Sequence, residues 1–149
     1  MAEEKKRKKV FMEGAISPTF IADSIAKHSS KKDIGAHSIF LGQVRNDLIQ
    51  NQEVKGIEYS CYQEMAEEKL HEIRENCFEK YPLSCLHVYH SLGKVEVGEI
   101  CLFVFTSSKH RAAATDACSY LVERIKKEVP IWGKELFGGD DFAWKVNKN

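Results

Sequence analysis

Glu99-Ile100-Cys101-Leu102-Phe103-Val104-Phe105-Thr106-Ser107 is the stretch on which the fold turns. Ile100, Leu102 and Val104 occupy one side of its two-residue alternation, and Cys101, Phe103 and Phe105 the other. A strand that is apolar on both sides needs cover on both faces of its sheet. Residues 109–128 follow with Ala114, Ala117, Leu121 and Ile125 three or four apart, the spacing of one helix face. Upstream, residues 63–81 repeat that pattern with Ala66, Leu70, Ile73 and Cys77 until Pro82 stops the helix. Residues 83–92 read as a strand joined to 99–107 through residues 93–98.

The rest of the chain extends this frame. Residues 10–16 read as a short strand, and Ser17-Pro18 as an N-cap with proline at the first helical position, leading into Phe20, Ile21 and Ile25. Residues 35–45 form a strand with His37, Ile39 and Leu41 on one side, and residues 54–62 another. Residues 46–53 are polar and expected to be a mobile loop. Gly138-Gly139 marks a turn before a last strand containing Phe142 and Trp144. Strands and long helices in this order predict an α+β sandwich, a mostly antiparallel sheet with two long packed helices. Residues 10–149 are expected to form one domain behind a disordered charged tail at 1–9.

Charge and cysteines narrow the function. The chain carries 22 basic and 22 acidic residues, but residues 1–9 hold five basic against two acidic ones. The folded part is therefore net acidic, which argues against a nucleic-acid binder. No apolar run is long enough to span a bilayer, and the charged start lacks a signal-peptide core. The expected location is the cytoplasm. Cys61, Cys77, Cys85, Cys101 and Cys118 show no C-x-x-C and no zinc-ligand spacing, so no metal site is expected. They read as reduced thiols, with Cys61 as the candidate should one be a nucleophile.

Three basic clusters stand where elements end: Gln43-Val44-Arg45, then Lys109-His110-Arg111, then Lys126 and Lys134 around Pro130. Pro130 is expected to fray or stop the helix over residues 126–129 and leave an irregular corner bearing Trp132. Ser107 and Ser108 are expected to cap the helix start, aiming its free N–H groups at an anion bound by His110 and Arg111. Arginine grips phosphate at two points, while lysine is a movable charge. Two readings stand: clamps around an anionic substrate, or separate surface charges with lysines at the negative end of a helix.

Larger strings decide between them. Gly42-Gln43-Val44-Arg45-Asn46, then Glu58-Tyr59 with Tyr62-Gln63-Glu64-Met65-Ala66, come first. His90-Ser91-Leu92-Gly93 with Val97-Gly98-Glu99, Ser107-Ser108-Lys109-His110-Arg111 and Val129-Pro130-Ile131-Trp132 follow. Over about residues 35–137 they resemble the catalytic, large subunit family of molybdopterin synthase. The resemblance implies an α/β hammerhead-type fold and a homodimer at the centre of a heterotetramer. It implies a small ubiquitin-like sulfur-carrier subunit as partner, inserting a C-terminal Gly-Gly tail activated as a thiocarboxylate.

The implied reaction is sulfur transfer: two dithiolene sulfurs move onto cyclic pyranopterin monophosphate, giving molybdopterin without a metal or other cofactor. By the same resemblance Gln43, Val44, Arg45, His110 and Arg111 hold the substrate and Lys126 is catalytic. Gly133, Lys134 and Glu135 line the pocket. The family's second lysine falls at Gly133, which leaves three alternatives: Lys134 replaces it, glycine letting the backbone bend towards the same space; the second lysine is dispensable; or the chain is impaired. The alternative is a non-catalytic relative that binds the carrier or a phosphorylated metabolite, needing Arg45, His110 and Arg111 but not Lys126.

Overall fold

The computed structural model describes residues 9–139 and 141–146. All but Lys9 of the expected charged tail lies outside the described residues. Strand β1 (Phe11–Glu13) leads into α1 (Pro18–Lys27), where the Phe20 N–H donates to Ser17 Oγ at 3.1 Å and Pro18 opens the helix. A 3-10 turn, His28–Ser30, precedes β2 (Ala36–Gln43). Strand β5 (Gly56–Cys61), helix α2 (Gln63–Lys80), β6 (Cys85–Glu96), β7 (Ile100–Ser108) and α3 (Arg111–Glu128) follow the two-strand hairpin β3 (Leu48–Ile49) and β4 (Gln52–Glu53). The chain finishes with β8 (Ile131–Gly138) and β9 (Asp141–Trp144).

The main sheet runs β2-β7-β6-β5-β8-β9, antiparallel throughout, with β1 parallel to the middle of β6. Strand β6 joins its two halves. Cys85 to His90 pair with β7, and Gly93 to Glu96 pair with β5. The expected connection at 93–98 is thus mostly strand. Only Val97 and Gly98 turn, Gly98 at φ 89°, a conformation that strongly favours glycine.

Helices α2 and α3 cover one face, placing Leu70, Ile73, Leu121 and Ile125 against Leu86, Leu102 and Val104. Each such burial stabilises by about 2 kcal/mol. Arg74 fixes α2 to the sheet by donating from Nη1 to Leu86 O at 2.6 Å. Ile16 and Ile21 cover Phe103 and Phe105 on the other face, with Phe20 edge-on to Tyr89 at 4.9 Å. Strand β7 is therefore covered on both sides, and the fold is the α+β sandwich expected.

Local departures have local causes. Gly42 faces Leu102 but Gln43 faces Ile100, so Cys101 is an extra residue in β7. This shift moves Cys101 into the cluster of Leu102 and Val104, and Ile100 into that of Phe103, against the simple alternation. Ile39 and Leu41 face outward at 37% and 41% exposure, while Ser38, Phe40 and Gly42, which alternate with them, turn inward. The polar loop at 46–53 contains the β3–β4 hairpin, closed by Gln50 and Asn51 at φ 51° and 65°.

Candidate active site

The end of α3 and the start of β8 build an open cleft of about 340 Å³. The helix stops within the expected range 126–129, at Glu128, without fraying before it. Pro130 removes only its own N–H, so the Val129 N–H still reaches Ile125 O at 3.2 Å and the helix stays formed to Glu128. The corner expected to be irregular is regular strand, with Ile131 opposite Cys61 and Gly133 opposite Tyr59. Tyr59, His90, Lys126, Trp132, Trp144 and Lys145 line the cleft. Aromatic rings and the aliphatic Leu102, Ile125, Val129 and Ile131 form its walls and its charges are basic, a lining that suits an anionic ligand with a planar apolar part.

Lys126 keeps contact with solvent, yet protein crowds its ammonium. Desolvation lowers its pKa below the usual lysine range, and the charges of Lys145 and Arg45 push the same way. His90 is buried and donates from Nδ1 to Ser91 O at 2.7 Å, in the tautomer that bond selects. Burial, reinforced by Lys126, brings its pKa down to about 4, so it is neutral at pH 7. Tyr59 stacks edge-on against His90 at 5.1 Å. Burial first, then Cys101 and Glu135, raise its hydroxyl pKa far above the usual range. One ammonium with lowered proton affinity therefore faces a neutral imidazole and a neutral phenol.

The residues singled out in the sequence divide. Lys126 and Gly133 share the cleft, and Arg45 lies close enough to weigh on Lys126. The Arg45 guanidinium is 70% exposed and pairs with Asp47 at 3.2 Å. Gln43 is exposed at the end of β2. Val44 is 1% exposed within the core, and its N–H and C=O are already bonded to Glu99 and Gly98. A substrate contact through its side chain is excluded.

His110 and Arg111 are exposed at the opposite end of α3. Fifteen residues of helix separate Arg111 from Lys126, about 22 Å. One copy of the chain cannot bring them to one ligand. Nor do the serines cap this helix as expected. His110 is the N-cap residue; Ser108 Oγ donates to His110 O, and Ser107 Oγ bonds His37 Nδ1 at 2.7 Å.

The second lysine is also displaced. Gly133 keeps an ordinary strand conformation, without the bend that replacement by Lys134 calls for. Gly133 and Glu135 face inward, Glu135 buried, while Lys134 turns outward with Nζ 4.1 Å from the Phe142 ring centre. Lys134 does not line the cleft; Lys145 does. The β8–β9 ladder sets Lys134 opposite Trp144, and the Lys145 N–H continues it by donating to Gly133 O at 2.8 Å. A Cβ added at Gly133 would lie 3.6 Å from Lys145 Cβ and 3.4 Å from Tyr59 Cε1. Lys145 thus borders the space that a side chain at 133 would enter. Folding residues 131–145 as a hairpin about Gly138-Gly139 was the signal that could have found it.

The family model described as MoaE protein matches residues 16–128. The chain is 39% identical over 114 residues to the molybdopterin synthase catalytic subunit of Bos taurus, covering 76% of this chain and 60% of that protein. Against the subunit of the same name from Pyrococcus abyssi it is 35% identical over 122 residues, covering 82% and 81%. Its fold matches the crystal structure of molybdopterin synthase from Staphylococcus aureus with a TM-score of 0.80 at 30% identity, over 93% and 96% of the two chains. The chain spans 56–60% of the length of the mammalian relatives it matches. Among its described residues, no helix is long and apolar enough to cross a membrane. The family model covers well over half of the sequence, and the fold agrees, so this chain belongs to the MoaE protein family of molybdopterin synthase catalytic subunits.

Proposed function

We propose that the chain is a sulfurtransferase, the catalytic subunit of a molybdopterin synthase acting in the cytoplasm. It takes sulfur from the C-terminal thiocarboxylate of a small carrier subunit and places two sulfurs on cyclic pyranopterin monophosphate. The observation that carries this reading is the cleft at the end of α3, where Lys126 and Lys145 stand among Tyr59, Trp132 and Trp144. The relatives' name and the Helicobacter pylori complex of subunits 1 and 2 of molybdopterin-converting factor, a 21% identical neighbour, agree with it.

The chemistry follows from the charges. A phosphate and a thiocarboxylate repel each other, and fixed cations offset that repulsion without reorganising during the reaction. The aromatic walls hold the pterin. The thiocarboxylate sulfur attacks a substrate carbon as a C–O bond of that carbon breaks and its oxygen leaves with a proton, forming a thioester to the carrier; water then cleaves the acyl–sulfur bond, leaving sulfur on the pterin and a carboxylate on the carrier. Lys126, with its lowered proton affinity, stabilises charge on the attacked group and can pass a proton. Arg45 positions the phosphate. His110 and Arg111 reach a ligand at Lys126 only from a second copy of the chain, so the working unit is a homodimer with shared sites, flanked by two carriers. Exposed Tyr62, packed edge-on to Trp132 at 5.2 Å, with Phe142 and Trp144, offers the carrier an apolar mouth.

The test is single turnover with thiocarboxylated carrier and cyclic pyranopterin monophosphate, scoring dithiolene product for the wild type and Lys126→Ala. Product from the wild type alone supports the reading. No product from either, with carrier bound, favours a non-catalytic carrier-binding relative.

A further inference from the structure

On the face of the sheet away from the cleft, the fold gathers a second group of reactive side chains. Cys85 and His87 are two apart on β6 and point the same way, while His90 points to the cleft face. The 3-10 turn after α1 brings His28 over them. One ligand atom from each of His28, Cys85 and His87 lies within 4.8 Å of the others. His28 and Cys85 are buried, at 8% and 6% exposure, and His87 is half-buried and open to solvent. Sequence spacing hid the group, because His28 lies 59 residues before His87.

The hydrogen bonds orient these atoms as a metal site would. His28 Nδ1 lies 2.7 Å from Ser24 O and donates to it, which aims Nε2 at His87 Nε2, 3.1 Å away. A backbone acceptor on the far ring nitrogen is the usual support of a metal-binding histidine. The Lys31 ammonium donates to Cys85 Sγ at 2.8 Å, so a cation already faces the sulfur. Tetrahedral zinc, with bonds of ~2.0 Å to nitrogen and ~2.3 Å to sulfur, would hold these atoms roughly 3.3–3.6 Å apart. Side-chain shifts of about an ångström achieve that, with solvent as fourth ligand.

We propose that His28, Cys85 and His87 form a binding site for a thiolate- and imidazole-seeking divalent cation, Zn²⁺ in the first place. Binding takes Cys85 as thiolate, its proton passing to solvent, and shifts the proton of His87 from Nε2 to Nδ1. Lys31 withdraws as the metal arrives. The ion ties the end of α1 to β6, and it is separate from the sulfur-transfer cleft.

The experiment titrates untagged, metal-free, full-length protein with Co²⁺, then displaces it with Zn²⁺. The site predicts one equivalent bound, a sulfur-to-cobalt charge-transfer band, displacement by Zn²⁺ but not Mg²⁺, and a higher Tm with Zn²⁺. Cys85→Ser should abolish the band, and His87→Gln should weaken Zn²⁺ on the order of tenfold or more, with circular dichroism unchanged. Should either variant misfold, exposed Lys31→Ala decides, since removing the competing ammonium should strengthen Zn²⁺ binding. No stoichiometric binding, a band that survives Cys85→Ser, or weaker binding in Lys31→Ala would overturn the proposal.

Discussion

The two ends of α3 carry similar residues in different surroundings. At the C-terminal end Lys126, though also exposed, borders a cleft where desolvation first, and then the charges of Lys145 and Arg45, lower its proton affinity. At the N-terminal end His110 and Arg111 stand exposed. Charge type alone therefore does not make a reactive group; desolvation and neighbouring cations do. Under the proposed function, proton and charge chemistry belong to one end and substrate holding to the other, which a single copy cannot combine over about 22 Å of helix.

The largest effect tests the reactive end. Lys126→Ala should slow product formation by 10²–10³-fold, about 3–4 kcal/mol of barrier, in single turnover with saturating carrier. A loss below tenfold would remove the distinction between the two ends.

His90 reports the same surroundings through stability. Its folded-state pKa of about 4 lies below the ordinary 6.5, so below pH 6.5 the unfolded chain binds the extra proton. Stability should fall as pH drops from 6.5 towards 4, by up to about 3 kcal/mol, and owe nothing to His90 above that window. Urea titrations of wild type and His90→Gln at pH 7 and 4.5 check this: the variant should lose most of the acid sensitivity, and an equal drop in both would contradict it.

Two lysines sharpen the boundary of the cleft. Lys145→Ala should cost about tenfold in rate, about 1.4 kcal/mol, because Lys145 borders the space beside Gly133. Lys134→Ala should change the rate by less than about twofold, since its ammonium lies over Phe142 outside the cleft. The reverse order in the same assay would return the second-lysine role to Lys134.

Elements set by periodicity were legible in the sequence. The stripe Ala66, Leu70, Ile73 and Cys77 is buried along α2, and β7 is covered on both faces. Ser17-Pro18 starts α1 because cap and proline act locally. What escaped depends on register or on distant contacts. The extra residue at Cys101 re-sorts a face without changing composition, and the β3–β4 turn uses Gln50 and Asn51 where glycine would have signalled it. Lys145 reaches the cleft through hairpin register. Lys126 was legible as a residue, but its lowered pKa comes first from desolvation in the folded cleft and then from Lys145 and Arg45 brought near it.

In the proposed homodimer, Lys126 of one copy works with Arg111 of another. Subunit mixing tests it most directly: Lys126→Ala and Arg111→Ala, each inactive alone, are combined under conditions where exchange is verified. A shared site leaves one intact centre in every mixed dimer, so activity should return to about a quarter of wild type. A mixture as inactive as its parents would place both residues in one protomer's site and contradict the account.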